Sequence, residues 1–120
     1  MNLKPASILI IAPVLIAGCT SQLNLRAIAD QPLKVTAFSG GRETPTKDIE
    51  SPSSEQEKLA TWLEAHRRGW KRSYITYAPK LLVSGTNFTL NIHTNGLILN
   101  LGKAQYEREA SMADFMFLLP

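Results

Sequence analysis

Cysteine and histidine are almost missing from this chain of 120 residues, which has one of the former and two of the latter. A single cysteine excludes an internal disulfide and any zinc site built on several thiolates, and two histidines leave few ligands for other metals. The sequence holds no glycine-rich phosphate loop, no nucleophile elbow, no carboxylate pair at helical spacing near a histidine and no internal repeat. It therefore predicts no enzyme, no metal and no cofactor. Charge of one sign is scarce too. Lys+Arg 13 against Asp+Glu 10 leave a net charge of +3, well short of the concentrated basic face of a nucleic-acid binder, so no nucleic-acid partner is expected. At 44% hydrophobic and 19% charged residues, the composition is that of one ordinary globular domain.

A long hydrophobic run is also lacking. The apolar stretch behind Lys4, from Ala6 to Ala17, is about a dozen residues, whereas a helix crossing a hydrocarbon core of about 30 Å takes about 20. Its layout, a basic start, an apolar middle and a small-residue end, predicts a signal peptide over residues 1–18 that is cleaved rather than kept as a span. Ile16, Ala17 and Gly18 stand directly before the only cysteine, Cys19, and Thr20 and Ser21 open a polar stretch. This segment resembles the lipobox of bacterial lipoprotein precursors, which has an aliphatic residue three positions before the cysteine and small residues at the next two. The resemblance implies cleavage before Cys19, diacylation of its thiol and often acylation of the new amino group. The chain would then be held at the membrane by acyl chains, and two or more such chains make a stable anchor. The competing reading of Cys19, a small buried core residue, would place it beside a removable leader. An aspartate after the acylated cysteine is associated with inner-membrane retention in enteric bacteria. Thr20 stands there instead, so the resemblance implies the outer membrane, facing the periplasm. Loss of residues 1–18 removes Lys4 and lowers the net charge by one.

Residues 19–32 read as the lipidated N-terminus and a polar tether, although Leu23, Leu25 and Ile28 could dock, and residues 33–120 read as a single domain. Leu33 to Phe38 alternates as a strand does, and the stretch from Ser39 to Pro52 reads as a turn-rich loop. A helix is expected from Glu55 to Arg68. Ser54 with Glu57, or Ser53 with Gln56, would cap it, Leu59, Trp62, Leu63 and His66 would form its apolar stripe, and Gly69 would stop it. Trp70 to Tyr77 is rich in strand-favouring types and Lys80 to Val83 is a shorter strand. Asn95-Gly96 suits a two-residue type I′ turn, which pairs Ile92 with Leu99 and Leu90 with Leu101 and puts His93 and Asn91 on the other face. The tail is polar after Gly102 until an apolar finish from Met112 to Leu119, suited to a short helix. The sum is a small α+β domain, an antiparallel sheet of about four strands with one helix packed on a face.

His66, Arg67, Arg68, Lys71 and Arg72 form the densest basic cluster. It reads either as a surface for an anion or an acidic partner, or as helix-end charge complementarity on a solvated face. Trp62, Trp70, Tyr74 and Tyr77 could line a binding groove or supply the core of a small sheet. His93 is a lone histidine on the outer face. The sequence thus points to a non-catalytic protein-binding lipoprotein, an immunity or inhibitor protein being one version, with Arg67, Arg68, Lys71, Arg72, Trp70 and Tyr74 as the partner-binding residues. The competing readings are a structural or accessory lipoprotein of a cell-envelope complex and a small-molecule or cell-wall binder.

Overall fold

The computed structural model describes residues 24–40 and 42–119. The expected signal peptide, Cys19 and the first part of the expected tether lie outside the described residues. The chain runs α1 (Leu25–Ala29), β1 (Leu33–Ser39), β2 (Arg42–Ile49), α2 (Ser54–Ala65), β3 (Lys71–Arg72), β4 (Leu81–Ser84), β5 (Phe88–His93), β6 (Gly96–Leu101), β7 (Ala104–Glu109) and a 3₁₀ helix (Met112–Leu118). All pairings are antiparallel, in the order β2-β1-β4-β5-β6-β7-β3. The α+β class holds, but the sheet has seven strands rather than about four. No helix among the described residues is long and apolar enough to cross a membrane.

The extra strands come from the segments read as loop and tail. β2 returns along β1 after Gly40, whose φ of +60° suits the turn. The register shifts between Thr36 and Phe38, an irregularity in the pairing of β1 with this edge strand. β7 folds back from β6 through Gly102 and Lys103, with Gly102 at φ +60°.

One face of the sheet carries the core. Val35, Leu81, Val83, Leu90, Ile92, Leu97 and Leu99 are buried on it against Leu25 and Ala29 of α1, Leu59 and Leu63 of α2, and Phe115 and Leu118 of the 3₁₀ helix. Residues from Leu25 onward, read as tether, are thus part of the domain. The buried Gln56 amide donates to Ala29 O at 2.9 Å and to Asp30 Oδ1 at 3.3 Å. Gln31 Oε1 accepts from Thr86 N at 2.6 Å. Outside, Arg26 pairs with Glu57 at 2.5 Å, and this bond holds the Glu57 carboxyl below its ordinary range.

The hairpin differs from expectation in an instructive way. His93 pairs with Gly96, Ile92 with Leu97, Leu90 with Leu99 and Phe88 with Leu101, so the turn residues are Thr94 and Asn95 and the register is two residues away from the expected one. A shift of two keeps each side chain on its face, which is why the division into core and outer residues survives. The observed register adds the pair Phe88 and Leu101, which the expected one would have lost. Gly96 is not among the positive-φ glycines. It is needed for another reason, since a Cβ there would stand 2.8 Å from Arg108 O on the neighbouring strand.

Helix α2 uses the Ser53 frame: Ser53 Oγ accepts from Gln56 N at 3.2 Å. It ends at Ala65, before the expected Arg68. His66 stacks on Trp62 with ring centroids 3.8 Å apart, and its Nδ1 donates to Trp62 O at 2.7 Å. The chain must leave the helix there for Trp70 to enter the core, where its Nε1 donates to His66 O at 2.8 Å. Gly69, at φ +88°, shapes the following loop and is not the helix stop. The apolar finish does form a short helix, capped by Ser111 Oγ and held by Trp62 Nε1 donating to Asp114 Oδ2 at 3.2 Å.

Candidate functional site

Strand β3 is at one edge of the sheet and β4 is separated from it by β5, β6 and β7. The connection, residues 73–79, must therefore cross three strands, and it does so on the face opposite the helices. Side chains of one strand alternate between faces, so Asn91, His93, Ile98, Gln105 and Glu107 point away from the core, and Ser73, Ile75 and Tyr77 of the crossing meet four of them. Ser73 N donates to Gln105 O at 2.9 Å as a last ladder bond. Ser73 Oγ then donates to Glu107 Oε1 at 3.1 Å, Gln105 Nε2 donates to Ile75 O at 2.7 Å and Asn91 Nδ2 donates to Tyr77 O at 2.8 Å. Tyr77 stacks on His93 at 4.3 Å between ring centroids. Ile98, on this face and outside the main core cluster, is only 2% exposed. The connection is a strap pinned flat on the sheet rather than the strand expected from Trp70 to Tyr77, of which only Lys71 and Arg72 are in β3.

A strap pinned by its backbone turns side chains outward. Tyr74 is 85% exposed, Ile75 49% and Tyr77 44%. The Arg72 guanidinium lies 5.7 Å from the Tyr74 ring and 5.6 Å from the Tyr106 ring, within cation–π range. Lys71 Nζ is 3.9 Å from Glu107 Oε2. Beside the strap, a cleft of about 230 Å³ is lined by Lys71, Tyr77, His93, Asn95 and Glu107 among others. Burial pushes the His93 imidazole below its ordinary pKa, and the nearby Glu107 carboxylate opposes this in part.

The predicted residues therefore separate. Lys71, Arg72 and Tyr74 come together at the β3 edge, Lys71 on the strap face beside Glu107 and Arg72 on the other face beside Tyr106 and within reach of Tyr74. Arg67 and Arg68 are exposed in the loop after α2. Trp70 is fully buried and belongs to the core, with its indole N–H satisfied by His66 O. The aromatic group divides likewise: Trp62 is half-buried against Phe115 at 4.8 Å, and Tyr74 and Tyr77 are at the surface. His93, expected as a lone histidine on the outer face, is on that face and part of the strap's seat. Sequence reading missed Tyr106 and Arg108, both on β7, and Ile75 as a surface residue. The pair Gly102-Lys103 followed by Tyr106 at strand spacing was the signal for that hairpin.

Among the described residues no group of three or more His, Cys, Asp or Glu could hold a metal ion. No family model, curated protein or solved structure matches the chain.

Proposed function

We propose that the protein is a lipoprotein anchored through Cys19 in the outer membrane, facing the periplasm, and that it acts there as a non-catalytic protein-binding module, with neutralisation of an envelope-directed toxin as one version. The single observation that carries the binding reading is the strap. Exposed tyrosines and an isoleucine held on a rigid sheet by main-chain hydrogen bonds give apolar contact area with little ordering cost on binding. Arginine and tyrosine together are the residue types that dominate interface energetics. Arg72 and Lys71 beside them favour a partner whose contact surface is acidic. The anchor reading is supported by Ile16, Ala17, Gly18 and Cys19.

Two experiments test this reading separately. Cys19→Ser should abolish labelling by radioactive palmitate and leave the uncut precursor; labelling that persists would remove the lipoprotein assignment. Full-length protein solubilised from envelopes in mild detergent should retain a stoichiometric protein partner that is lost on Tyr74→Ala combined with Arg72→Glu. A partner retained by that variant would refute the strap as the contact surface.

A further inference from the structure

A second basic feature lies at the end of α2, away from the strap's tyrosines. Here His66, Arg67, Arg68, Gly69, Arg108 and Glu64 line a notch of about 430 Å³. Arg108 reaches it from β7. It pairs across the ladder with the core residue Leu97, so its side chain is on the helix-bearing face and passes under the loop that follows α2. Its Nη1 donates to Arg68 O at 2.5 Å, and its Nε is buried with no hydrogen-bond partner. Gly69 makes room for it, because any Cβ there would overlap Arg108 Nη1.

The charges in this notch do not balance. The ion pairs among the described residues use Arg26, Lys47 and Lys71, and none uses Arg67, Arg68 or Arg108. The one carboxylate of the lining, Glu64, is 3.5 Å from Arg26. A half-buried guanidinium held by one carbonyl has lost hydration without gaining a counter-charge, which is costly unless a partner completes it. The planar fork of arginine matches a carboxylate or a phosphate with two parallel hydrogen bonds. We infer that the notch at the end of α2 is an oxyanion-binding site centred on Arg108, with Arg67 and Arg68 closing over a bound carboxylate or phosphoryl group. Gly69 is its positioning residue, since it sets the distance between the loop and Arg108. The site stands whether or not the strap binds a protein.

The test is a titration of the purified protein with inorganic phosphate and, separately, with glutarate, each at constant ionic strength against sodium chloride, following the arginine Nε–Hε resonances by NMR. The Arg108 resonance should shift saturably, with the Arg42 and Arg72 resonances unmoved. Saturation by glutarate alone identifies a carboxylate site, and saturation by phosphate alone a phosphoryl site. Arg67→Ala combined with Arg68→Ala, both exposed side chains, should leave the melting midpoint unchanged and weaken binding about tenfold or more, since a hydrogen bond to a charged group contributes about 1.5–3 kcal/mol and each 1.4 kcal/mol is tenfold. Gly69→Ala should weaken it as well by displacing Arg108. Shifts no larger than those in chloride, or equal shifts at every arginine, would overturn the site, as would undiminished binding in the Arg67 and Arg68 double variant.

Discussion

Replacing Gly96 with asparagine separates two accounts of the β5–β6 hairpin. If Gly96 were the second residue of a type I′ turn, its φ would be positive and asparagine, which tolerates that region, would cost a few tenths of a kcal/mol. In the structure Gly96 is a strand residue opposite His93 and Glu109. The Cβ of any replacement would stand 2.8 Å from Arg108 O and 3.3 Å from the His93 ring. The ring can turn, but a backbone carbonyl in the middle of a ladder cannot, so strands β6 and β7 must separate locally. Overpacking of this kind costs about 1–3 kcal/mol. In a domain of about 100 residues each kcal/mol lowers the midpoint by about 4–8 °C. Gly102→Asn is the control: at φ +60° with nothing within 4 Å of a Cβ, it should cost about 0.5 kcal/mol or less. Thermal unfolding followed by circular dichroism decides the matter. A Gly96→Asn midpoint equal to the parent's, with Gly102→Asn markedly lower, would refute the observed register.

Gln56→Ala removes the buried amide that ties α2 to Ala29 O, which keeps its bond from Gln31 N, a loss of about 0.5–1.5 kcal/mol. Hydrogen exchange should quicken most in α1, and unchanged exchange there would contradict the inclusion of α1 in the domain. Phe115→Ala, which empties a fully buried site under Trp62, should cost about 3–5 kcal/mol by urea denaturation. The His93 imidazole has a lower pKa in the fold than in the unfolded chain, so the unfolded chain takes up the proton first. Stability from this group should therefore be unaffected above about pH 6.5, fall as pH drops below it, and level off once the folded imidazole is also protonated. His93→Gln should flatten the dependence between pH 7 and 5.5, and an unaltered slope would show that His93 is not its source.

What the sequence made legible followed from burial on one face. Strand β5 alternates cleanly because its inward residues meet the helices, β1 does so over its first three residues, and α2 shows its stripe through Leu59 and Leu63. β2 was hidden because it is an edge strand in which Ile49 is the one buried residue among the described side chains, which leaves no alternation to read. β7 was hidden for a similar reason, as its residues are mostly half-buried on both faces. The strap was mistaken for a strand because aromatic and β-branched residues suit any flat, half-covered surface, whether hydrogen-bonded in a ladder or laid across one. Arg67, Arg68, Lys71 and Arg72 looked like one cluster because they are close in sequence. The burial of Trp70 divides them, so that one pair borders the notch and the other the strap. Arg108 had no signal, since its role depends on a loop 40 residues earlier in the chain.

The central claim, that the strap is where a partner binds, is tested most directly by site-specific photocrosslinking in intact cells. A benzophenone side chain placed at Tyr74 should give one discrete protein adduct, abolished by Arg72→Glu. The same group at Thr61, exposed on the helical side, should give none. Adducts at Thr61 with none at Tyr74 would contradict the account.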